Sequence, residues 1–385
     1  MKLIETSGLP IKSWCNDPEA GAIEQARHIA ALPFAYHHIA LMPDTHQGYG
    51  MPIGGVLATV DTIIPNAVGV DIGCGMLATQ TSLRDISQEE VKRIMGLLRG
   101  RIPLGFKHRT TPLDIPPPPD NAPIAQAEYE SARHQAGTLG GGNHFIEIQR
   151  GSDGYIWFMV HSGSRNIGKK VCDHYNALAR RLNAKEKSPV PANWDLAYFS
   201  TETEEGRQYL AEMGYCQAFA AENRRVMAEE ILGAFAEVRG IARADVGMRT
   251  VNVHHNYAQF ERHFGRDVWV HRKGATSAQM GEAGIVPGSQ GTKSYIVTGL
   301  GNPASFCSCS HGAGRRMGRK EAQRTLSLAE EKRRMDERGI VHGLRNERDL
   351  DEAAGAYKDI DVVMQEQSDL VTIAVELVPL GVIKA

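Results

Sequence analysis

No stretch of this 385-residue chain approaches the roughly 18 consecutive apolar residues that a membrane-spanning helix requires. The opening MKLIETSGLPIKSW lacks the apolar core of a secretory signal. An excess of positive charge is missing too: 43 Lys and Arg stand against 45 Asp and Glu, a formal net charge of −2. That excludes a surface coated with basic residues for non-specific nucleic-acid binding, but leaves room for one local basic groove. Cysteine is sparse. The six, Cys15, Cys74, Cys172, Cys216, Cys307 and Cys309, follow no regular framework, and a chain of this length does not depend on disulfide staples. A soluble, cytoplasmic protein with reduced thiols is expected. No internal repeat is present, and the phosphate-loop spacing G-x-x-x-x-G-K-S/T is absent.

What is present supports a sizeable core. Hydrophobic residues make up 42% of the chain, and the length suits one large domain or two ordinary ones. Asp17 followed by Pro18 forms a cap and first-turn pair for a helix running towards Ala31. Ser87 and Glu90 form a capping box ahead of VKRIMGLL. Residues 203–238 repeat apolar positions at three and four, which predicts one long helix. Residues 319–337 predict a charged, mostly solvated helix. Short strands are predicted at 38–42, 54–60, 144–148, 156–160, 294–300 and 370–378. Helices and strands do not alternate regularly, so the expected fold is α+β, with mixed sheets flanked by helices, rather than doubly wound. The Pro-rich TPLDIPPPPDNAP (111–123) reads as a surface loop within a single domain of residues 1–385, because chemically rich segments lie on both sides of it.

Those segments place Gly, His and Asp at the ends of predicted strands, where sites are built. They include MPDTHQGYGMPIGG (42–55), GVDIGCGM (69–76), GTLGGGNHFIE (137–147), VHSGSRNIG (160–168) and VNVHHNYAQFE (251–261). Asp71 and Cys74, three apart in a Gly-rich turn, can face one ion. Taken alone, a buried cysteine beside a turn-forming Asp is the commoner reading. Three histidines, His144, His161 and His255, each follow an apolar strand. With Asp71 and Cys74 they match a transition-metal ligand set, and five ligands exceed one tetrahedral site, so two metals are plausible. Neighbours in an extended segment point to opposite sides, so only one of His254 and His255 faces the site. GGGNHF and PGSQGTKS are Gly-rich turns able to cradle phosphates, although each alone is more often a plain turn.

The segment SFCSCSHGAGRRMGR (305–319) puts His311 among small residues ahead of an Arg-rich helix start. Cys307 and Cys309 suggest a metal loop, but no second C-x-C or C-x-x-C completes a cysteine site. With five ligands available elsewhere, His311 reads better as a nucleophile towards a phosphate. Arg165, Arg315, Arg316 and Arg319 offer guanidinium forks suited to phosphates. A solvated helix start is an equal alternative for the last three, although three arginines at a helix N-terminus oppose its dipole.

Taken together, the segments from MPDTHQGYGMPIGG to YKDID and the terminal lysine resemble the RtcB family of RNA-splicing ligases over nearly the whole chain. The resemblance implies an enzyme that uses GTP and two manganese ions. It would join an RNA 3′-phosphate or 2′,3′-cyclic phosphate end to a 5′-hydroxyl end, in tRNA splicing or RNA repair. It implies Asp71, Cys74, His144, His161 and His255 as metal ligands, with Cys74 bridging. His311 matches the histidine that takes up GMP, and Asp44 the residue that orients it. Asn143, Phe145, Glu147, Ser289, Ser294, Gly312, Ala313, Gly314, Tyr357 and Lys384 match positions around the guanylate, Glu147 facing the guanine edge. Arg165 and Arg319 match RNA-phosphate positions. An archease-type activator belongs to the partners so implied. The chain departs from the family at Gly318, usually Ser, and at Ala385, usually Gly. A metal-dependent phosphodiesterase or a non-catalytic RNA-binding relative are the competing readings; the intact His311 and Lys384 favour the ligase.

Overall fold

In the computed structural model, which describes residues 1–384, two large sheets carry the fold. The first orders its six strands as Lys2–Ile4, Ile11–Ser13, Ala35–His46, Ile53–Thr59, Arg266–Lys273 and Asn256–His263. The second orders seven: Gly247–His254, Gly75–Thr81, Ile156–Ser162, Phe145–Gly151, Val371–Lys384, Ser294–Gly299 and Ala283–Val286. Among the described strands, only Ile11–Ser13 and Ala35–His46 pair in parallel. The rest are antiparallel, with helices packed outside, in one α+β domain.

Near-continuous apolar runs have a simple cause: the central strands of both sheets are covered on both faces. In Ala35–His46, Ile39 and Leu41 pack towards the helix Ala20–Ala30, while Ala40 and Met42 pack towards Tyr295, Val297 and Phe306. In the second sheet, Leu77, Ile146 and Phe158 meet the helices Gln88–Arg101 and Glu204–Arg239. Met76, Trp157 and Met159 fill the opposite side with Ile285 and Ile296. Period-two alternation thus separates two cores instead of core from water.

The helix signals resolve unevenly. The capping box at Ser87 and Glu90 forms, and Thr203 caps the long helix Glu204–Arg239, accepting from the Gly206 N–H at 3.2 Å. The helix expected from Asp17 begins instead at Ala20, because the Glu19 carbonyl accepts the first helical bonds. Residues 319–337 form two helices, Arg319–Thr325 and Leu328–Glu337, since Ser327 caps the second one afresh. The Pro-rich loop is irregular to Ala122 and then starts the helix Pro123–Gln135. It is pinned to the core by Tyr129 and Tyr215, whose hydroxyls donate to the carbonyls of Ile115 and Pro116 at 2.6 and 2.9 Å. The strand Gly75–Thr81 and the hairpin from Asn256 to Lys273 escape the short-run reading. Among the described residues no helix is long and apolar enough to cross a membrane.

Candidate functional site

Register explains why distant residues meet. His254 lies opposite Gly75, Gly75 opposite Ser162, His161 opposite Phe145, and Phe145 opposite Lys384. His255, Cys74, His161, His144 and Lys384 therefore gather at one end of five neighbouring strands. His255 also marks where the chain leaves the second sheet for the first, between Gly247–His254 and Asn256–His263.

At that end Cys74 is shared by two groups that could each hold a metal ion: Cys74, His161 and His255, and Asp71, Cys74 and His144. The Cys74 Sγ lies 3.4 Å from the Nε2 atoms of both His144 and His161. The Nε2 atoms of His161 and His255 are 3.4 Å apart, and that of His144 is 3.1 Å from Asp71 Oδ2. His161 points Nδ1 at the Asn143 carbonyl, 3.1 Å away, which places its proton there and leaves Nε2 a bare lone pair facing the cluster. Burial holds His161 and His255 well below the usual imidazole range, so both rings are neutral donors. Burial pushes the Cys74 thiol well up, and the Asp71 carboxylate adds to that. Burial also raises Asp71, but hydrogen bonds from His144 and Cys74 and the charges of His144 and Arg165 together hold the carboxyl below its ordinary value. N, S and O atoms converging in one buried spot are a set that a cation would satisfy, displacing the thiol proton as it bound. Gly163 lacks a side chain where any Cβ would overlap the Asp71 carboxylate. His254 turns to the other face, with Nδ1 2.9 Å from the Gly73 carbonyl.

Against this cluster stands His311. Its ring is edge-on to His255, with centroids 4.8 Å apart. It follows the short strand Ser308–Ser310, and its Nδ1 lies 2.6 Å from Asp44 Oδ2. Asp44 is fully buried at the end of Ala35–His46, and the same oxygen accepts the backbone N–H groups of His311 and Gly312 at 3.1 and 3.2 Å. An ionised carboxylate only accepts, so Nδ1 carries the proton and Nε2 is free. Gly314, at φ +73°, passes so close to the Asp44 backbone that a Cβ would collide with its carbonyl. Cys309 is buried in the apolar core beneath this turn, and Cys307 lies at its edge.

One pocket joins these parts. Asn143, Phe145, His161, Ser289, His311, Gly312, Ala313, Gly314, Arg319, Tyr357 and Lys384 all line it. Glu147 and Ser294 are buried beside it rather than among its lining residues. Burial raises Glu147 to about 8, against the opposing hydrogen bond from Gln149 and the charge of Lys384. Ser294 accepts from the Gly288 N–H at 3.1 Å and braces the turn that carries Ser289. Burial lowers Lys384 to about 8, although Glu352 favours its charged form.

The family model described as tRNA-splicing ligase RtcB matches residues 25–117 and 115–385. The chain belongs to the RtcB family. It is 40% identical over 400 residues to RNA-splicing ligase RtcB of Escherichia coli, covering 97% of this chain and 96% of that protein. It is 32% identical over 437 residues to tRNA-splicing ligase RtcB of Thermococcus kodakarensis, covering 94% and 90%. RNA-splicing ligase RtcB of Mycobacterium tuberculosis is likewise 32% identical over 437 residues, covering 94% and 100%.

Arg165 and Arg319, the two arginines expected from the sequence to meet phosphates, sit differently from one another. Arg165, at φ +60°, donates to Thr138 Oγ1 at 3.0 Å and to the Gly105 carbonyl at 2.8 Å, so much of its fork is already engaged. Arg319 is half exposed at the pocket rim. The three arginines do not crowd one helix start. The helix begins at Arg319; Arg315 and Arg316 precede it and donate to the carbonyls of Asp351 and Gly355. Gly318 caps that helix in extended backbone with open space around it, so the usual Ser could be accommodated there. Ala385 lies outside the described residues. Two residues escaped the sequence reading. Arg224, fully buried on the long helix, donates to the carbonyls of Gly73 and Ser162 and to Asn252 Oδ1, tying together the strands that carry Cys74, His161 and His255. Its signal was a polar pair, Asn223–Arg224, inside the apolar stripe. The other is Glu352, buried in the pocket wall.

Proposed function

We propose that this chain is an RNA ligase that uses GTP and manganese to join an RNA 3′-phosphate, or an opened 2′,3′-cyclic phosphate, to a 5′-hydroxyl. One observation carries the reading: a histidine oriented by a fully buried carboxylate faces a buried Cys/His/Asp cluster across a single pocket. Membership of the RtcB family and the printed names of the relatives support it.

Asp44 keeps the proton of His311 on Nδ1, so Nε2 offers its lone pair to the α-phosphorus of GTP. The N–P bond forms as the bond to the pyrophosphate oxygen breaks, and His311 holds GMP. An oxygen of the RNA 3′-phosphate then attacks that phosphorus and His311 leaves, giving an RNA end activated by GMP. The 5′-hydroxyl attacks the 3′-phosphorus, its proton is lost, and GMP departs. Asp71, Cys74, His144, His161 and His255 would hold two manganese ions, with Cys74 common to both. Bound there, the ions neutralise phosphate charge and polarise the attacked phosphorus. Asn143, Phe145, Ser289, Ala313, Gly314, Tyr357 and Lys384 line the guanylate pocket, and Arg319 and Arg165 guide the RNA strand. Cytoplasmic tRNA splicing or RNA repair is the setting, and an archease-type protein an activator.

The test is incubation with α-labelled GTP and Mn²⁺, followed by a search for acid-labile label on the protein. Label is expected on the wild-type chain and lost in His311→Ala. A wild-type chain that hydrolyses phosphodiesters without taking up label would instead be a metal-dependent phosphodiesterase. Label surviving in His311→Ala would remove His311 as the nucleophile.

A further inference from the structure

We propose that Glu352 is the positioning residue of the nucleotide pocket, setting where Arg315, Arg319, Tyr357 and Lys384 stand. The inference rests on the nucleotide-transfer reading above and concerns a residue to which neither the sequence motifs nor the family resemblance gives a role. Glu352 ends the 3₁₀ turn Glu347–Glu352, and its side chain is 1% exposed. Its Oε1 accepts from Arg319 Nε at 2.7 Å. Its Oε2 accepts from the Tyr357 hydroxyl and forms an ion pair with Arg315 Nη1 at 3.0 Å, with Lys384 Nζ 4.0 Å away. Its backbone carbonyl accepts from the Gln290 side chain at 2.9 Å, on the facing lip of the pocket. All five partners line the same pocket as His311. Burial alone would raise the Glu352 carboxyl; Lys384 and then Arg315 overcome this and hold it ionised.

One anion therefore gathers three cations that come from two distant parts of the chain, residues 315–319 and Lys384. Like charges this close repel in a buried setting unless a counter-charge fixes their spacing. Three cations against Glu352 and the neighbouring Asp351 still leave the set net positive, which suits it to a polyphosphate that arrives with its own negative charge. Two effects then oppose each other when the carboxylate is neutralised. Added positive charge would tighten phosphate binding, whereas lost alignment would weaken it. The geometry points to alignment as the larger effect, because Arg319 and Tyr357 each donate to the carboxylate itself and Arg315, ion-paired with it, donates to the Tyr357 hydroxyl that it holds.

The experiment measures equilibrium binding of α,β-methylene-GTP with Mn²⁺ to the full chain, beside labelling by α-labelled GTP in the same preparations. Glu352→Gln keeps the shape and removes the charge. Its Kd is expected to rise about 10- to 100-fold, as for loss of a charge-assisted bond. Labelling at saturating GTP should still reach the wild-type plateau. Glu352→Asp, which draws the carboxylate back by about 1.5 Å, should fall between the two, and it carries the comparison if the Gln variant does not fold. An unchanged or tighter Kd in the variants overturns the inference, as does a lowered plateau at unchanged Kd, which marks a purely structural brace. Wild-type chain that binds the analogue but takes up no label sinks the ligase reading while the Kd ratio still judges Glu352. Absence of any binding sinks both.

Discussion

The Asp44–His311 couple shows how much can depend on one proton. Asp44 Oδ2 receives three donors, Nδ1 and two backbone N–H groups, so neither ring nor carboxylate has freedom to swing. Asp44→Asn keeps the size but offers an N–H where only an acceptor serves. The imidazole then settles with its proton on the wrong nitrogen, and labelling by GTP is expected to slow by about 10³–10⁴-fold. The rate of adduct formation reads this directly, and a loss below tenfold would contradict the orienting role. The strand-end donors were legible as a candidate ligand set only because three histidines, an Asp and a Cys occur together at strand ends; each alone has a commoner structural use. Their roles, and the choice of His255 over His254, came through the family resemblance, since alternation gives two faces without saying which is wet. Arg224 and Glu352 were not legible in that way. An arginine on a helix and a glutamate in an acidic stretch look solvated until the fold shows what they touch.

Elements are tied to one another by single side chains. The helix Pro123–Gln135 has Ala122 at its N-cap, so its own sequence supplies no capping acceptor. Glu212, fully buried on the long helix, supplies it instead: its two oxygens accept from the Ile124 and Ala125 N–H groups at 2.7 and 2.9 Å. Glu212→Ala leaves both donors buried and unpaired, with an expected loss of about 2–4 kcal/mol. Urea titration would show it as a lower midpoint, and an unshifted midpoint would remove Glu212 as the cap. The long helix and the Ser87 box were readable because propensity, spacing and caps agree within one window. The helix at 123–135 was not, because its cap lies far along the chain. Gly75–Thr81 was missed since a strand with covered faces need not alternate.

At the scale of the whole molecule, acid is the weak side. Burial lowers His38 and His271 to about 4, from an ordinary 6.5. His271 is also held neutral by its contacts, since Nε2 accepts the Ile64 N–H at 3.1 Å. The folded pKa lies below the unfolded one, so as pH falls the unfolded chain binds protons first. Stability is complete above pH 6.5 and drains between 6.5 and about 4, at roughly 1.4 kcal/mol per pH unit for each histidine. Melting temperatures measured from pH 7 to pH 4.5 should fall continuously; a flat profile to pH 5 would exclude these rings as the cause. Chain order has a different consequence. The strand Val371–Lys384 threads between Phe145–Gly151 and Ser294–Gly299, strands laid down long before it. A chain emerging from the ribosome therefore carries every donor of the Cys74 cluster, and His311 as well, while a slot in the sheet stands open. Lys384 joins the pocket only when that strand slides between its two neighbours, so this cation enters after the donors of the cluster and His311 have been made.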